Sequence, residues 1–205
     1  MSQATATQTP LLEMRGISKF YPGVVALNDV HFEVLPGEVH ALCGENGAGK
    51  STLMKILAGA ETKDRGEILL HGKPVTIHSP QDAMERGIHI IYQEFNLVPP
   101  LSAAENIYLG REPAAAIPGF INFKKLYGDA QAVMDSLGVA VDVRAEVSRL
   151  SVAQQQMVEI AKATSRSSIS VIAMDEPSAT LTDHELRNLF ELIRGLKARG
   201  VGIVY

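Results

Sequence analysis

Cysteine is nearly absent from this sequence: Cys43 is the single thiol in 205 residues. An intramolecular disulfide and a cysteine metal cage are thereby excluded, and a reducing compartment suits the composition. Basic excess is missing too, since 19 Lys and Arg face 23 Asp and Glu for a formal charge of −4. That balance leaves no electrostatic footprint for nucleic acid, and no such partner is expected. No apolar run approaches the length that spans a bilayer, so a role at a membrane needs a partner that crosses it. Residues 1–10 are rich in Thr, Ala and Gln without the basic-then-apolar order of a signal peptide, and read as a loose tail. Internal repeats and low-complexity tracts are lacking as well. What is present, 46% hydrophobic and 20% charged residues, is enough for one good core with a small appended subdomain.

The most informative stretch is Gly44-Glu45-Asn46-Gly47-Ala48-Gly49-Lys50-Ser51-Thr52, which fits G-x-x-x-x-G-K-[ST]. It follows an apolar run at 39–43 that reads as a buried strand with Cys43 packed inside it. The residues from Thr52 to Ala58 behind it read as a helix. Glycines let the backbone wrap a phosphate, whose charge is met by N–H groups and the helix N-terminus. Lys50 is expected to reach the β- and γ-phosphates, and the Ser51 hydroxyl to ligate Mg²⁺. The stretch predicts binding of a nucleoside triphosphate.

Periodicity places this loop in a larger frame. Strands are expected at 11–19, 29–35 and 38–43, and at 67–71 and 74–77 around a hairpin turn at Gly72-Lys73. Ser79-Pro80 starts a short helix that ends near Gly87, followed by a strand at 88–92. The middle, roughly 99–165, changes to helical spacing and reads as an insertion between two halves of an α/β sheet. Strands resume at 169–174 and 201–205. Between them Leu186, Leu189, Phe190, Ile193 and Leu196 form an apolar helix face, opened by a Thr182-x-x-Glu185 capping box. The run Val171-Ile172-Ala173-Met174 ends in Asp175-Glu176. At a parallel strand's C-terminal edge Asp175 is placed to hold Mg²⁺ through water, and Glu176 to polarise an attacking water.

Together these motifs resemble the ATP-binding cassette of ABC transporters. Gly44 to Thr52 is similar to the Walker A motif, and Met174-Asp175-Glu176-Pro177 to the end of Walker B with its catalytic glutamate. The resemblance implies that Gln93 is the Q-loop glutamine, contacting Mg²⁺ and the attacking water, and that Tyr21 stacks on adenine. Ala179-Thr180-Leu181-Thr182 stands at the D-loop, with Thr182 in place of the usual aspartate. Leu150-Ser151-Val152-Ala153-Gln154 stands at the signature, with Val152-Ala153 for the paired glycines; read from the residues, Ser151-x-x-Gln154 is a capping box. In the family this helix start meets the γ-phosphate held by the opposite cassette.

The signature variant, the phosphate loop and Tyr92-Gln93-Glu94-Phe95-Asn96-Leu97-Val98-Pro99 narrow the resemblance to the first cassette of ribose, galactose and arabinose-type importers. It implies an α/β P-loop NTPase core with an N-terminal antiparallel β portion and an inserted α-helical subdomain at about 99–165, over residues 11–205. It also implies ATP and Mg²⁺, membrane permease subunits, a second cassette and, indirectly, a periplasmic or extracellular sugar-binding protein. The location implied is peripheral, on the cytoplasmic face of the inner membrane. Family members run on from such a final strand into a switch histidine, so the sequence ending at Tyr205 reads as a cassette cut before it, with slow turnover alone. A non-transport ATPase of the same class, in DNA repair or on ribosomes, is the alternative. The apolar segment 94–101 is either a permease groove or a loop folded back over the core.

Overall fold

A computed structural model of the chain describes residues 9–45, 47–92, 95–166, 169–175 and 183–205, with 183–185 as backbone only. It separates into two compact units, one of residues 1–90, 170–173 and 196–205, the other of residues 91–169 and 174–195.

The first unit holds two sheets. Strand β1 (Leu12–Tyr21) turns through Pro22-Gly23 into β2 (Val24–Val34), and the two pair antiparallel from Tyr21↔Val24 back to Leu12↔Val34. Proline followed by a glycine at φ 77° is the sequence of a tight type II turn. The strand expected from residue 29 thus begins five residues earlier. Register shifts and the positive φ of Asp29 break the alternation that would reveal the earlier stretch. Strand β4 (Arg65–Leu70) pairs with β1 and β5 (Lys73–Val75), giving the order β2-β1-β4-β5. The β4–β5 turn is centred on His71-Gly72, at φ 50° and 73°, one residue before the expected position. Positive φ at both central residues is what a two-residue type I′ hairpin requires.

The second sheet has the order β3-β8-β7-β6, from β3 (Val39–His40), β6 (Ile88–Ile91), β7 (Val171–Met174) and β8 (Gly202–Val204). Both β3 and β7 run parallel to β8, which lies between them. Helix α1 (Lys50–Leu57) follows the phosphate loop and buries Leu53, Met54, Ile56 and Leu57 in a core shared with Leu12, Met14, Ile17, Val34 and Ile88. Helix α2 (Pro80–Glu85) begins where Ser79 accepts a hydrogen bond from the Asp82 amide.

The expectation of a buried strand at 39–43 is corrected. Val39 is 41% exposed, and Cys43 is exposed rather than packed. β3 stands at the end of the sheet order, so one of its edges has no partner strand among the described residues, and its ladder is only two residues long.

The second unit is mainly helical. α3 (Ala103–Ile107), α4 (Phe123–Ser136) and α5 (Val152–Thr164) pack through Ala104, Ile107, Leu126, Ala130, Met134 and Val158, all with no exposed surface. Leu126, Ala130 and Met134 recur every fourth residue, which puts them in one row along the helix. Leu97 is packed against this same cluster, the fold-back expected of one alternative for segment 94–101. The final helix α6 (Asp183–Ala198) buries Leu189, Leu192, Ile193 and Leu196. Phe190, expected on that face, is 42% exposed, because one step past Leu189 rotates it about 100° away.

Candidate nucleotide-binding site

The loop from Gly44 to Gly49 is built by close approach. Gly49 has φ 88°, and a Cβ there would lie 2.5 Å from the Ala26 carbonyl oxygen and 2.7 Å from Leu27 Cδ2. No side chain fits, so glycine at this position is a requirement of the β2 backbone as much as of any ligand. Gly47, at φ 86°, faces open space. The Ala48 amide donates to the Glu45 carbonyl at 3.1 Å and closes the loop on itself.

Gly49 is also the N-cap of α1 and supplies no side-chain acceptor. The first helical hydrogen bond is Leu53 N–H to the Gly49 carbonyl, so the amides of Lys50, Ser51 and Thr52 precede the helical ladder. Unladdered amides at a positive helix end, beside a glycine loop, fit a triphosphate. Lys50 Nζ donates to the carbonyls of Gly44 and, at 3.1 Å, Glu45, which folds its ammonium over the loop. No ion pair with a carboxylate engages Lys50 among the described residues, so its charge remains available to an anion. Ser51 is exposed next to it. Asn46 lies outside the described residues.

Tyr21 ends β1 and is 37% exposed. Its hydroxyl donates to Glu61 Oε2 at 3.2 Å. Burial, then the Glu61 carboxylate, raise the Tyr21 phenol above its ordinary value. Lys19 Nζ sits 5.3 Å over the ring and pairs with Glu61 Oε1 at 2.9 Å. Sequence reasoning singles out Tyr21 but not Lys19 or Glu61. The signal for Glu61 is faint: a carboxylate four residues beyond the end of the phosphate-loop helix.

In the second unit, Asp175 follows the end of β7, and its amide donates to the Ile91 carbonyl at 2.9 Å. Burial, with the Asp175 charge, raises the Tyr92 phenol. Gln93, Glu176 and the D-loop segment 179–182 lie outside the described residues.

Ser151 is the N-cap of α5. Its hydroxyl accepts from the Gln154 amide at 3.3 Å, while its own amide donates to Gln154 Oε1 at 3.0 Å. The capping box expected from Ser151-x-x-Gln154 is present. Val152 is 45% exposed on the first turn and Ala153 is buried. If Ser151 serves only as a cap, Ser151→Ala lowers stability by about 1 kcal/mol and does nothing else. If it also faces a γ-phosphate across a pair of cassettes, the variant loses ATP-dependent pairing while monomer nucleotide binding persists. Thermal melts beside ATP-dependent light scattering separate these outcomes, and we expect the second.

Further along α5, Lys162 grips the peptide of Asn96, a pairing with no sign in the sequence. Lys162 Nζ donates to the Asn96 carbonyl at 2.8 Å, and Glu159, one turn earlier on the helix, is buried. Asn106 fixes the same segment, accepting from the Val98 amide at 2.7 Å and donating to the Val98 carbonyl at 3.1 Å. Burial holds the Glu159 carboxyl above the ordinary carboxylate range, against the pull of Lys162. The folded chain therefore keeps this proton to higher pH than the unfolded one. Its contribution to stability is full below the unfolded value and is lost as pH rises through the folded value. Glu159→Gln is thus expected to melt no lower than wild type at about pH 7, with any advantage fading toward about pH 4. Melts across that range check it, and a variant less stable at neutral pH than in acid, relative to wild type, contradicts it.

Comparison with known proteins agrees with the loop's geometry. Residues 27–179 match the sequence family described as ABC transporter. The chain is 56% identical over 196 residues to a ribose import ATP-binding protein of Rubrobacter xylanophilus, covering 96% of this chain and 39% of that protein. It is 53% identical over 199 residues to a putative ribose/galactose/methyl galactoside import ATP-binding protein of Burkholderia cenocepacia, covering 97% and 39%. The chain thus spans about two fifths of the length of these curated relatives. Among solved structures, the ADP conformation of an ATP-binding cassette of an ABC transporter superposes with a TM-score of 0.80 at 25% identity, over 95% of this chain and 80% of that one. A component of a Clostridium perfringens ABC transporter complex superposes at 0.77 with 23% identity, over 96% of this chain and 78% of that one, a likeness of fold.

Proposed function

The chain belongs to the ABC transporter family, and from that premise we propose that it is the ATP-binding and ATP-hydrolysing cassette that energises import of a monosaccharide through a separate membrane permease. The observation that carries this reading is the phosphate loop. Gly49 lies against β2, three amides precede the helical ladder, and the Lys50 ammonium folds over the loop without a carboxylate partner among the described residues. The sugar is suggested by the relatives, which are named for import of ribose, galactose and methyl galactoside.

In this reading Gly44, Glu45, Asn46, Gly47, Ala48, Gly49, Lys50, Ser51 and Thr52 hold the triphosphate, and Tyr21 offers its ring to adenine. Ser51, Asp175 and Gln93 hold Mg²⁺, which supplies charge neutralisation between the phosphates when bound. Glu176 positions and polarises the attacking water, helped by Gln93. Ser151, Val152, Ala153 and Gln154 serve the nucleotide of a second cassette. Among the described residues no helix is long and apolar enough to cross a membrane. In this reading the permease is a separate element, and this chain works peripherally on the cytoplasmic face. The segment 169–174 and the helical stretch at about 99–165 take the roles of catalytic strand and inserted subdomain, within a cassette over residues 11–205.

The test is transport itself. Vesicles carrying the permease and the sugar-binding protein should take up ribose or galactose only when the intact ATPase and MgATP are supplied. Uptake independent of this cassette would refute the assignment.

A further inference from the structure

Resting on the proposed nucleotide site, we propose that Glu61, together with Lys19, is a positioning residue that fixes the Tyr21 ring as a one-sided platform for the base and ties it to the phosphate-loop helix. Every part of the assembly lies in the first unit. The Glu61 carboxylate holds two residues of β1 at once: Oε2 accepts from the Tyr21 hydroxyl at 3.2 Å, and Oε1 accepts from Lys19 Nζ at 2.9 Å and from the adjacent Thr62 amide at 3.1 Å. Lys19 is 7% exposed, and its ammonium covers one face of the Tyr21 ring at 5.3 Å from the centroid. A second carboxylate, Asp64, stands 3.7 Å from the same ammonium. With one face covered, a base is directed to the other.

The chain geometry explains how the platform follows the phosphates. After α1 the backbone reverses, with the amides of Ala60 and Glu61 both donating to the Lys55 carbonyl at 2.9 and 3.1 Å. That reversal anchors Glu61 to the helix through its own amide and brings its carboxylate back to the Tyr21 phenol. Tyr21 is thus held by a residue just past the end of α1 whose backbone is bonded to the Lys55 carbonyl of that helix. A tyrosine pinned in this way loses little rotamer entropy when a base stacks on it, which is the general benefit of preorganisation. Base–aromatic stacking of this sort is worth roughly 1–3 kcal/mol, about 5- to 150-fold in affinity, so losing the platform's alignment is measurable.

The experiment compares calorimetric affinities for MgATP and for Mg-tripolyphosphate, which carries the phosphates without the base. Glu61→Ala should weaken MgATP by about 3- to 10-fold and leave tripolyphosphate unchanged. Glu61→Gln, which still hydrogen-bonds the phenol, should stay within about twofold of wild type. Tyr21→Phe removes the other end of the same bond and keeps the fold testable. The double variant Tyr21→Phe/Glu61→Ala should be no weaker than the worse single variant. Equal losses for both ligands, additive losses in the double variant, or an unchanged MgATP affinity in Glu61→Ala would each overturn the proposal. If Tyr21→Ala binds MgATP as wild type does, the stacking role falls and this inference with it. Equal affinity of the wild-type chain for tripolyphosphate and MgATP would overturn it as well. A chain that binds neither ligand defeats the site assignment instead.

Discussion

Replacing Glu176 by Gln should slow hydrolysis of bound ATP by about 10²–10⁴-fold, the usual contribution of a positioned general base. The carboxylate closes the sequence Val171-Ile172-Ala173-Met174-Asp175-Glu176, whose first four residues form the buried strand β7. An amide has nearly the same shape but cannot take up a proton at neutral pH. MgATP affinity should therefore be retained while the chemical step is lost. Single-turnover hydrolysis under saturating MgATP, beside equilibrium binding on the same preparation, reads both quantities. Equal rates for the variant and wild type would move the catalytic role away from Glu176.

Lys50→Ala should weaken MgATP by about 10- to 100-fold, because a charge-assisted contact is worth roughly 1.5–3 kcal/mol. The loss should exceed that expected from any single loop amide, since Lys50 carries a full charge whose contacts here are backbone carbonyls. Folding should be little affected, because those carbonyl contacts lie at an exposed loop and contribute no core packing. Calorimetry checks the affinity and a thermal melt checks the fold. An unchanged affinity in a folded variant would remove Lys50 from the site.

Much of this site is legible in the sequence for identifiable physical reasons. The phosphate loop is readable because backbone approach to an anion demands glycine at fixed positions, and Gly49 does face the Ala26 carbonyl at a distance no Cβ could occupy. The Ser151 cap is readable because its two hydrogen bonds link residues three apart in the chain. The helical rows of α4 are readable for a similar reason, periodicity being a local property. Contacts between residues distant in sequence are not readable. Glu61 meets Tyr21 across 40 positions, and Lys162 meets Asn96 across 66. The first pair leaves only the faint spacing of Glu61 behind the phosphate-loop helix, and the second leaves no mark on spacing or composition. The exposure of Val39 and Cys43 escapes sequence reasoning for a related reason: an apolar run announces a strand but not whether it ends a sheet or lies inside one.

The most direct test of nucleotide binding at this loop is a crystal structure of the chain with Mg²⁺ and a non-hydrolysable ATP analogue. The β-phosphate should lie within hydrogen-bonding reach of the amides from Gly47 to Ser51, with Lys50 Nζ turned from the Gly44 and Glu45 carbonyls onto phosphate oxygens and the base against Tyr21. An analogue bound elsewhere, with the loop and Lys50 left as they are in its absence, would contradict the assignment.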